Sequence, residues 1–260
     1  MVTASQKIPL IIGHRGASRE APENTCESFR LAWSLGADGI EADFRLAADG
    51  TIVCMHDATA ARTTGKDLEI AAVTVEELRR LDAGAWKGSA WSGAMIPTLD
   101  EVLAAVPPGT WFFIELKSGV EIIAPLKRAL QKSAITPDQI RLLSFSAPLV
   151  AALSQHLPDW HACLLCDYRY SLLNNSWRPS RADVLEMLNR TGACGLASAD
   201  RTFLDQGLVG TLRELGKEIH VWTVDRPANA VRLCNLGVDS IMTNRPGWLR
   251  QKLAARGSLV

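Results

Sequence analysis

The sequence predicts an α/β fold, a single (β/α)8 barrel, and three observations carry that expectation. Short apolar runs rich in Ile, Val, Leu and Phe alternate with longer stretches of helical periodicity from one end of the chain to the other. Those runs are nearly continuous in their apolar character, as parallel strands covered on both faces require. The chain of 260 residues is also close to the ordinary length of one such barrel, so 1–260 reads as one domain.

Taken in order, the first strand is expected at Pro9–His14 and the first helix at Thr25–Leu35, with Gly36 as its C-cap before a second strand at Gly39–Arg45. A turn at Ala47–Gly50 and the run Thr51–His56 then lead into Asp57–Ile96, rich in Thr, Ala, Gly and charge. That stretch breaks the β-α rhythm and reads as an insertion over the barrel mouth, with a helical patch near Val75–Leu81. The rhythm resumes with a helix at Thr98–Ala105, a strand at Trp111–Lys117, a helix at Val120–Lys132 and a strand at Gln139–Phe145. It continues through helix Ala147–His156, strand His161–Cys166, helix Arg181–Arg190 and strand Gly192–Ser198. Helix Asp205–Leu215, strand Glu218–Val224, helix Pro227–Leu236 (closed by Gly237) and strand Ser240–Asn244 complete it. Pro137-Asp138 and Pro158-Asp159 punctuate two of the helix-to-strand connections. Tyr168–Arg181, which mixes aromatics, Leu and Arg, reads as a surface loop before a helix.

Lys plus Arg and Asp plus Glu number 28 each, so no global field draws the protein to nucleic acid or to an anionic membrane. An anionic ligand would have to be captured by local groups. Cys163 and Cys166 form a C-x-x-C inside the strand-like string HACLLCD, with no second pair to complete a zinc site. The six cysteines therefore read as small hydrophobes in a reducing compartment. The run in MVTASQKIPLIIGHRG is too short for a membrane span or a signal peptide, and a cytoplasmic location is expected.

Polar residues with chemical capacity cluster at the ends of three expected strands. Gly13-His14-Arg15-Gly16 closes the first, Glu41-Ala42-Asp43 lies on the second, and Glu115-Leu116-Lys117 follows the insertion. In a barrel of this kind the C-terminal ends of the strands form the functional face. Alternate residues share a side, so Glu41 points with Asp43, and Glu115 with Lys117. Three carboxylates converging in a barrel mouth repel one another and are costly to bury unpaired. A divalent cation resolves that conflict, and donors that are all hard oxygens favour Mg2+ or Ca2+ over zinc. Surface ion pairs on an edge strand are the competing reading for Glu41 and Asp43, disfavoured because parallel barrel strands have covered faces. For Glu115 and Lys117 the competitor is an internal ion pair.

His14 and His56 also lie at strand ends beside acidic neighbours. Imidazole titrates near neutrality, so a pair flanking a metal makes a natural general acid and general base. Asp57 either orients the His56 ring or caps a turn. His156, His161 and His220 read as structural. Arg15 offers a planar fork suited equally to phosphate oxygens or to a surface salt bridge. Trp222 either packs the core or forms a pocket wall for a substrate's carbon skeleton, and the wall is favoured.

The motifs, taken together, resemble the glycerophosphodiester phosphodiesterase family of the cytoplasmic bacterial type. The opening GHRGAS…APENTCESFRLAWSLGADGIEADFRLAADGTIVCMHD is similar to that family's N-terminal signature, and IPTLDEVL, FIELK, LLSFS, VWTVD and GVDSIMTNRP follow in the family's order, over Ile11 to Leu249. The resemblance implies that Glu41, Asp43 and Glu115 bind the metal and that His14 and His56 are the acid–base pair. It implies that Arg15 and Lys117 hold the phosphate, that Asn24 lies close to the site and that Trp222 lines the pocket. The expected reaction is metal-dependent hydrolysis of a glycerophosphodiester to sn-glycerol 3-phosphate and an alcohol. Either histidine can take either role. The expected partner is the small substrate alone, without nucleic acid or stable membrane association, the protein being a monomer or homodimer. Two rivals share the scaffold: a phospholipase D-like or lysophospholipid-cleaving enzyme, and a phosphodiester-binding barrel without catalysis.

Overall fold

A ring of parallel strands holds the molecule together, in a computed structural model that describes residues 8–173 and 175–255. In chain order the strands are β1 (Leu10–His14), β2 (Gly39–Leu46), β3 (Ile52–Cys54), β4 (Trp111–Leu116), β5 (Ile140–Ser144), β6 (His161–Cys166), β7 (Arg169–Ser171), β8 (Ser176–Arg178), β9 (Gly195–Ala199), β10 (Glu218–Trp222) and β11 (Ser240–Thr243). Eight of them close in the order β1-β2-β4-β5-β6-β9-β10-β11 and back to β1, every neighbouring pair parallel. Closure leaves no sheet edge in the ring and confirms the (β/α)8 expectation.

The helices are α1 (Cys26–Ser34), α2 (Ala61–Thr64), α3 (Val75–Leu78), α4 (Leu99–Ala105), α5 (Ile123–Lys132), α6 (Ala147–His156), α7 (Arg181–Thr191), α8 (Gln206–Glu214), α9 (Pro227–Leu236) and α10 (Pro246–Ala254). Local chemistry sets their ends. Thr98 and Ser180 form reciprocal capping boxes with Glu101 and Asp183, and Thr25 caps α1 by accepting from the Ser28 N–H. Gly237 ends α9 in the left-handed conformation expected of it.

Strand alternation sorts the side chains into two layers. Ile11, Ile40, Phe44, Phe112, Ile114, Leu142 and Leu196 face outward against the helices in the main core. Ile12, Phe113, Leu143, Cys163, Leu165, Ala197 and Met242 face inward and fill the lumen. Below them Arg141 holds Glu218 through two bonds, Nε to Oε2 at 2.5 Å and Nη2 to Oε1 at 2.8 Å. His220 is buried in the same layer, with Nδ1 2.9 Å from Ser240 Oγ and Nε2 3.1 Å from Glu218 Oε2. Its structural assignment from sequence stands on these contacts.

Four features differ from the sequence expectation. Gly192 is the left-handed C-cap of α7 and not the start of a strand, since φ is 66° there. The surface loop expected over Tyr168–Arg181 contains a two-stranded antiparallel hairpin, β7 with β8, on which Tyr170 packs edge-on against Trp177. Residues 52–54, read only as a run, form an antiparallel strand on the end of β2. After Asn244 the chain continues into α10, which buries Pro246, Gly247, Leu249 and Leu253 and supplies the eighth outer helix.

The segment Asp57–Ile96 carries α2 and α3 and gathers a satellite cluster: Ala47, Val53, Met55, Ala60, Ile70, Leu78, Ala83 and Ile96. It is tied to the loop after β1 by Lys87 Nζ, which donates to the Ser18 carbonyl at 2.6 Å. No helix among the described residues is long and apolar enough to cross a membrane.

Candidate active site

Strand register decides which side chains meet. His14 at the end of β1 is the register partner of Glu41 on β2, Glu41 is level with Phe113 on β4, and Asp43 is level with Glu115. Each inward position therefore continues a lumen layer. Phe113 fills the layer below with carbon, and Glu115 two residues on brings a carboxylate to the mouth. The three carboxylates lie with one oxygen from each within 4.8 Å of the others, all buried.

Two cations face this cluster. Lys117 Nζ bonds to Glu115 Oε1 and stands 3.0 Å from Asp43 Oδ1, out of hydrogen-bonding alignment with it. Arg15 Nε is 3.1 Å from Asp43 Oδ2, and the Arg15 backbone N–H donates to Glu41 Oε2 at 2.9 Å. That backbone bond depends on an unusual conformation, because Arg15 is left-handed at φ 56°. A side chain in that region costs about 1 kcal/mol. The Arg15 carbonyl accepts from the Asn24 N–H and from Ser28 Oγ, which holds the turn in place. Gly16 follows at φ 83°, where a Cβ would lie 2.3 Å from Ser28 Oγ, so only glycine fits.

Asn24 lies behind Asp43. Its Nδ2 donates to Asp43 Oδ2 at 2.9 Å and its Oδ1 accepts the Asp43 backbone N–H at 3.2 Å. Both ends of this buried amide are thus spent on fixing a carboxylate.

The electrostatics follow from burial and charge. Burial, reinforced by the neighbouring Asp43, pushes the Glu41 carboxyl up to about 8 and the Glu115 carboxyl up to about 7. Asp43 moves the other way. Burial raises it, but Lys117, Arg15, His56 and the Asn24 amide outweigh that and hold it at about 2. Glu41 Oε1 and Asp43 Oδ1 are buried without a hydrogen-bond partner among the described residues. Three carboxylates against two cations, all donors oxygen, with unsatisfied buried acceptors, fit a hard divalent cation.

The two histidines sit on opposite flanks of Asp43 in chain terms and both feel its charge. His14 Nδ1 is 2.8 Å from Asn244 Oδ1, and its Nε2 is 3.9 Å from Glu41 Oε2. His56 Nδ1 is 2.7 Å from Asp57 Oδ1, so Asp57 orients the ring, one of the two alternatives left by the sequence. The Arg45 guanidinium fixes the His56 carbonyl at 2.8 and 3.0 Å. Burial lowers both imidazoles, aided by Arg15, against the raising effects of the acids and of the Nδ1 partners.

Several residues that the sequence left without a role complete the site. Arg62 bonds Asp57 at 2.6 Å and grips Glu23 through two bonds of 2.8 Å, and Glu23 in turn holds Arg15 Nη1 at 2.8 Å. His56, Asp57, Arg62, Glu23, Arg15 and Asp43 are therefore linked in one continuous chain of polar contacts. Glu23 sits in the same Pro-Glu-Asn-Thr string as Asn24, which was its available signal; Arg62, inside the insertion, had none. Phe145, half exposed just past β5, stands edge-on to Trp222 with ring centres 5.4 Å apart. Trp222 is half-buried and donates Nε1 to the Ala197 carbonyl at 3.0 Å. Beside it a cleft is lined by Asp167, Asp200, Arg201, Arg226 and Asn229. Trp222 thus both packs on the core and borders open space at the mouth.

Comparison with known proteins gives the family of the chain. The family described as "Glycerophosphoryl diester phosphodiesterase family" matches residues 14–248, nearly the whole barrel. The chain belongs to that family. A glycerophosphodiester phosphodiesterase of Caldanaerobacter subterraneus subsp. tengcongensis is 33% identical over 244 residues, covering 92% of this chain and 96% of the relative. One from Bacillus subtilis is 32% identical over 253 residues, covering 91% and 84%. Among solved structures, an Oleispira antarctica phosphodiesterase in complex with the product sn-glycerol-3-phosphate superposes with a TM-score of 0.82 at 27% identity, covering 95% of this chain and 97% of that one. Membership of the glycerophosphoryl diester phosphodiesterase family makes the protein an enzyme, a phosphoric diester hydrolase, and removes the non-catalytic barrel from the rival readings.

Proposed function

We propose that the protein hydrolyses small glycerophosphodiesters to sn-glycerol 3-phosphate and an alcohol, using a divalent cation on Glu41, Asp43 and Glu115 and the imidazoles of His14 and His56. The observation that carries this reading is the convergence of the three buried carboxylates beside two histidines, each held through Nδ1 by a partner outside the cluster. The relative solved with sn-glycerol-3-phosphate supports the same substrate class.

The roles follow from the groups present. A bound Mg2+ or Ca2+ supplies Lewis-acid polarisation of the phosphoryl oxygens. Arg15 and Lys117, already inside the cluster, neutralise charge that builds on those oxygens as the nucleophile attacks. One imidazole takes the proton of the nucleophile, a water or the substrate's neighbouring hydroxyl, and the other protonates the departing alkoxide. Asn24 contributes by orienting Asp43. Trp222 and Phe145 offer an apolar wall to the substrate's carbon skeleton. Residues 57–96 act as part of a single domain 1–260, bordering the entrance through Arg62 and Lys87. A cytoplasmic location is proposed on the six cysteines, none of which is in a disulfide.

Turnover of glycerophosphocholine tests the reading directly. Activity abolished by EDTA and restored by Mg2+ or Ca2+ is expected, and full activity in EDTA would defeat the cation's part in it. A second substrate class has one specific observation in its favour. Leu172 and Leu173, on the hairpin turn next to β6, are 87% and 98% exposed, as an enzyme meeting lysophospholipid at an interface would use. Faster turnover of lysophosphatidylcholine than of glycerophosphocholine would select that class.

A further inference from the structure

Three adjacent strand ends bring His14, Asp225 and Asn244 together: His14 closes β1, Asn244 follows β11, and Asp225 lies beyond β10. Resting on the acid–base reading of His14, we infer that Asn244, locked in orientation by Asp225, is a positioning residue for the hydrolysis. It fixes His14 in the Nδ1–H tautomer and leaves Nε2 as the nitrogen offered to the phosphate.

The argument runs through donors and acceptors. Asp225 Oδ1 accepts from the Thr243 hydroxyl and the Asn244 backbone N–H, both at 2.9 Å, and Asp225 Oδ2 accepts from Asn244 Nδ2 at 2.6 Å. Turning the Asn244 amide over would set two acceptor oxygens 2.6 Å apart, so the carboxylate dictates which end of the amide faces it. The other end, Oδ1, must then face His14. An amide oxygen only accepts, so the nitrogen 2.8 Å away, His14 Nδ1, carries the hydrogen. Ser18 Oγ lies 2.8 Å from the same Oδ1 and 2.7 Å from the His14 carbonyl, and its single hydrogen serves one of these two acceptors at a time. In the neutral ring the lone pair therefore sits on Nε2, the atom 3.9 Å from Glu41 Oε2 and directed into the carboxylate cluster. The opposite tautomer would leave the Nδ1 lone pair facing the Asn244 oxygen, and Nε2 is the nitrogen that exchanges a proton at the cluster whichever of the two roles His14 takes. His56 reaches the same presentation through a carboxylate, Asp57, whereas His14 relies on a neutral amide whose direction is borrowed from Asp225.

The experiment uses the full-length protein labelled with 15N-histidine. Long-range proton–nitrogen correlation spectra distinguish the protonated from the unprotonated ring nitrogen, and the His14 signals are assigned by their loss in His14→Ala. Wild type is expected to show hydrogen on Nδ1. In Asp225→Asn, where the amide of residue 244 is freed to rotate, signals of the Nε2–H form should appear. Both Asp225→Asn and Asn244→Ala should lower kcat on the order of 10- to 100-fold while KM stays nearly constant. A wild-type spectrum with hydrogen on Nε2 overturns the inference without recourse to any variant. So does wild-type kcat in both variants. If His14→Ala itself turns over normally, the acid–base reading has failed instead, and the two failures are told apart because the wild-type spectrum is read without turnover.

Discussion

Asp43 on β2 and Glu115 on β4 are register partners, and Lys117 reaches across to both. Two carboxylates side by side in a buried mouth, with Glu41 two residues below, set the main physical problem of this molecule. The consequences can be measured.

The first concerns pH and cations. Burial and Asp43 raise Glu41 from its ordinary 4.5 to about 8, and Glu115 from 4.5 to about 7. Through that interval the folded protein keeps protons that the unfolded chain has released. These two carboxylates bind more protons in the folded state, so their contribution to stability falls as pH rises from about 4.5 to about 8. His14 and His56, lowered from 6.5, add stability as pH rises towards 6.5 and are constant above it. Asp43, held at about 2, contributes stability that is fully present above its ordinary 3.8 and is constant in this window. In EDTA, the melting temperature should therefore fall from about pH 6.5 to about pH 8, where only the two carboxylates still titrate between the states. Mg2+ or Ca2+ should flatten the fall, and Glu41→Gln should reduce it. A calorimetric profile in EDTA that is level across this range would remove the electrostatic basis of the cation site.

The histidines provide the second. His14→Ala and His56→Ala should each lower kcat by roughly 10²- to 10⁴-fold with the melting temperature little changed. Steady-state kinetics on glycerophosphocholine decide it, and a variant retaining most of its turnover removes that ring from the mechanism.

At the opposite end of the barrel, Glu218→Ala would strand the buried Arg141 without its carboxylate partner. Loss of such a partner costs about 3 kcal/mol. Denaturant unfolding should show that loss while kcat stays at the wild-type value, since this ion pair lies beneath the lumen and away from the mouth. An unchanged midpoint would mean that water substitutes for Glu218.

The aromatic wall gives the fourth. Phe145→Ala should raise KM for glycerophosphodiesters several-fold and leave kcat almost unaltered, because removing uniform binding acts on KM. Trp222→Ala, which also loses core contacts, should do the same with a lower melting temperature. No change in KM across a panel of head groups would confine both rings to packing.

Much of this was readable along the chain, and the exceptions are instructive. The strands bearing His14, Glu41, Asp43, Glu115 and Lys117 announce themselves because period-two alternation and an apolar run are local properties. The Gly192 boundary was misplaced because a helix-capping glycine and a strand-opening glycine look alike until φ is known. The eighth helix went unnoticed even though Pro246 marks its first turn, a position that proline suits. The hairpin of Arg169–Ser171 with Ser176–Arg178 pairs across a turn with no strong turn signature.

What the sequence alone determined was the barrel, the strands of its mouth, and the carboxylates, imidazoles and cations they would carry. The tertiary structure alone decided the partners: Asn24 on Asp43, Arg62 bridging Asp57 and Glu23, and Asn244 against His14 across 230 positions of chain. Alternation and capping act over a few residues, so a sequence displays them. Which strand ends become neighbours depends on the ring closing in one register, and a hydrogen bond across that closure leaves no periodic trace in the chain.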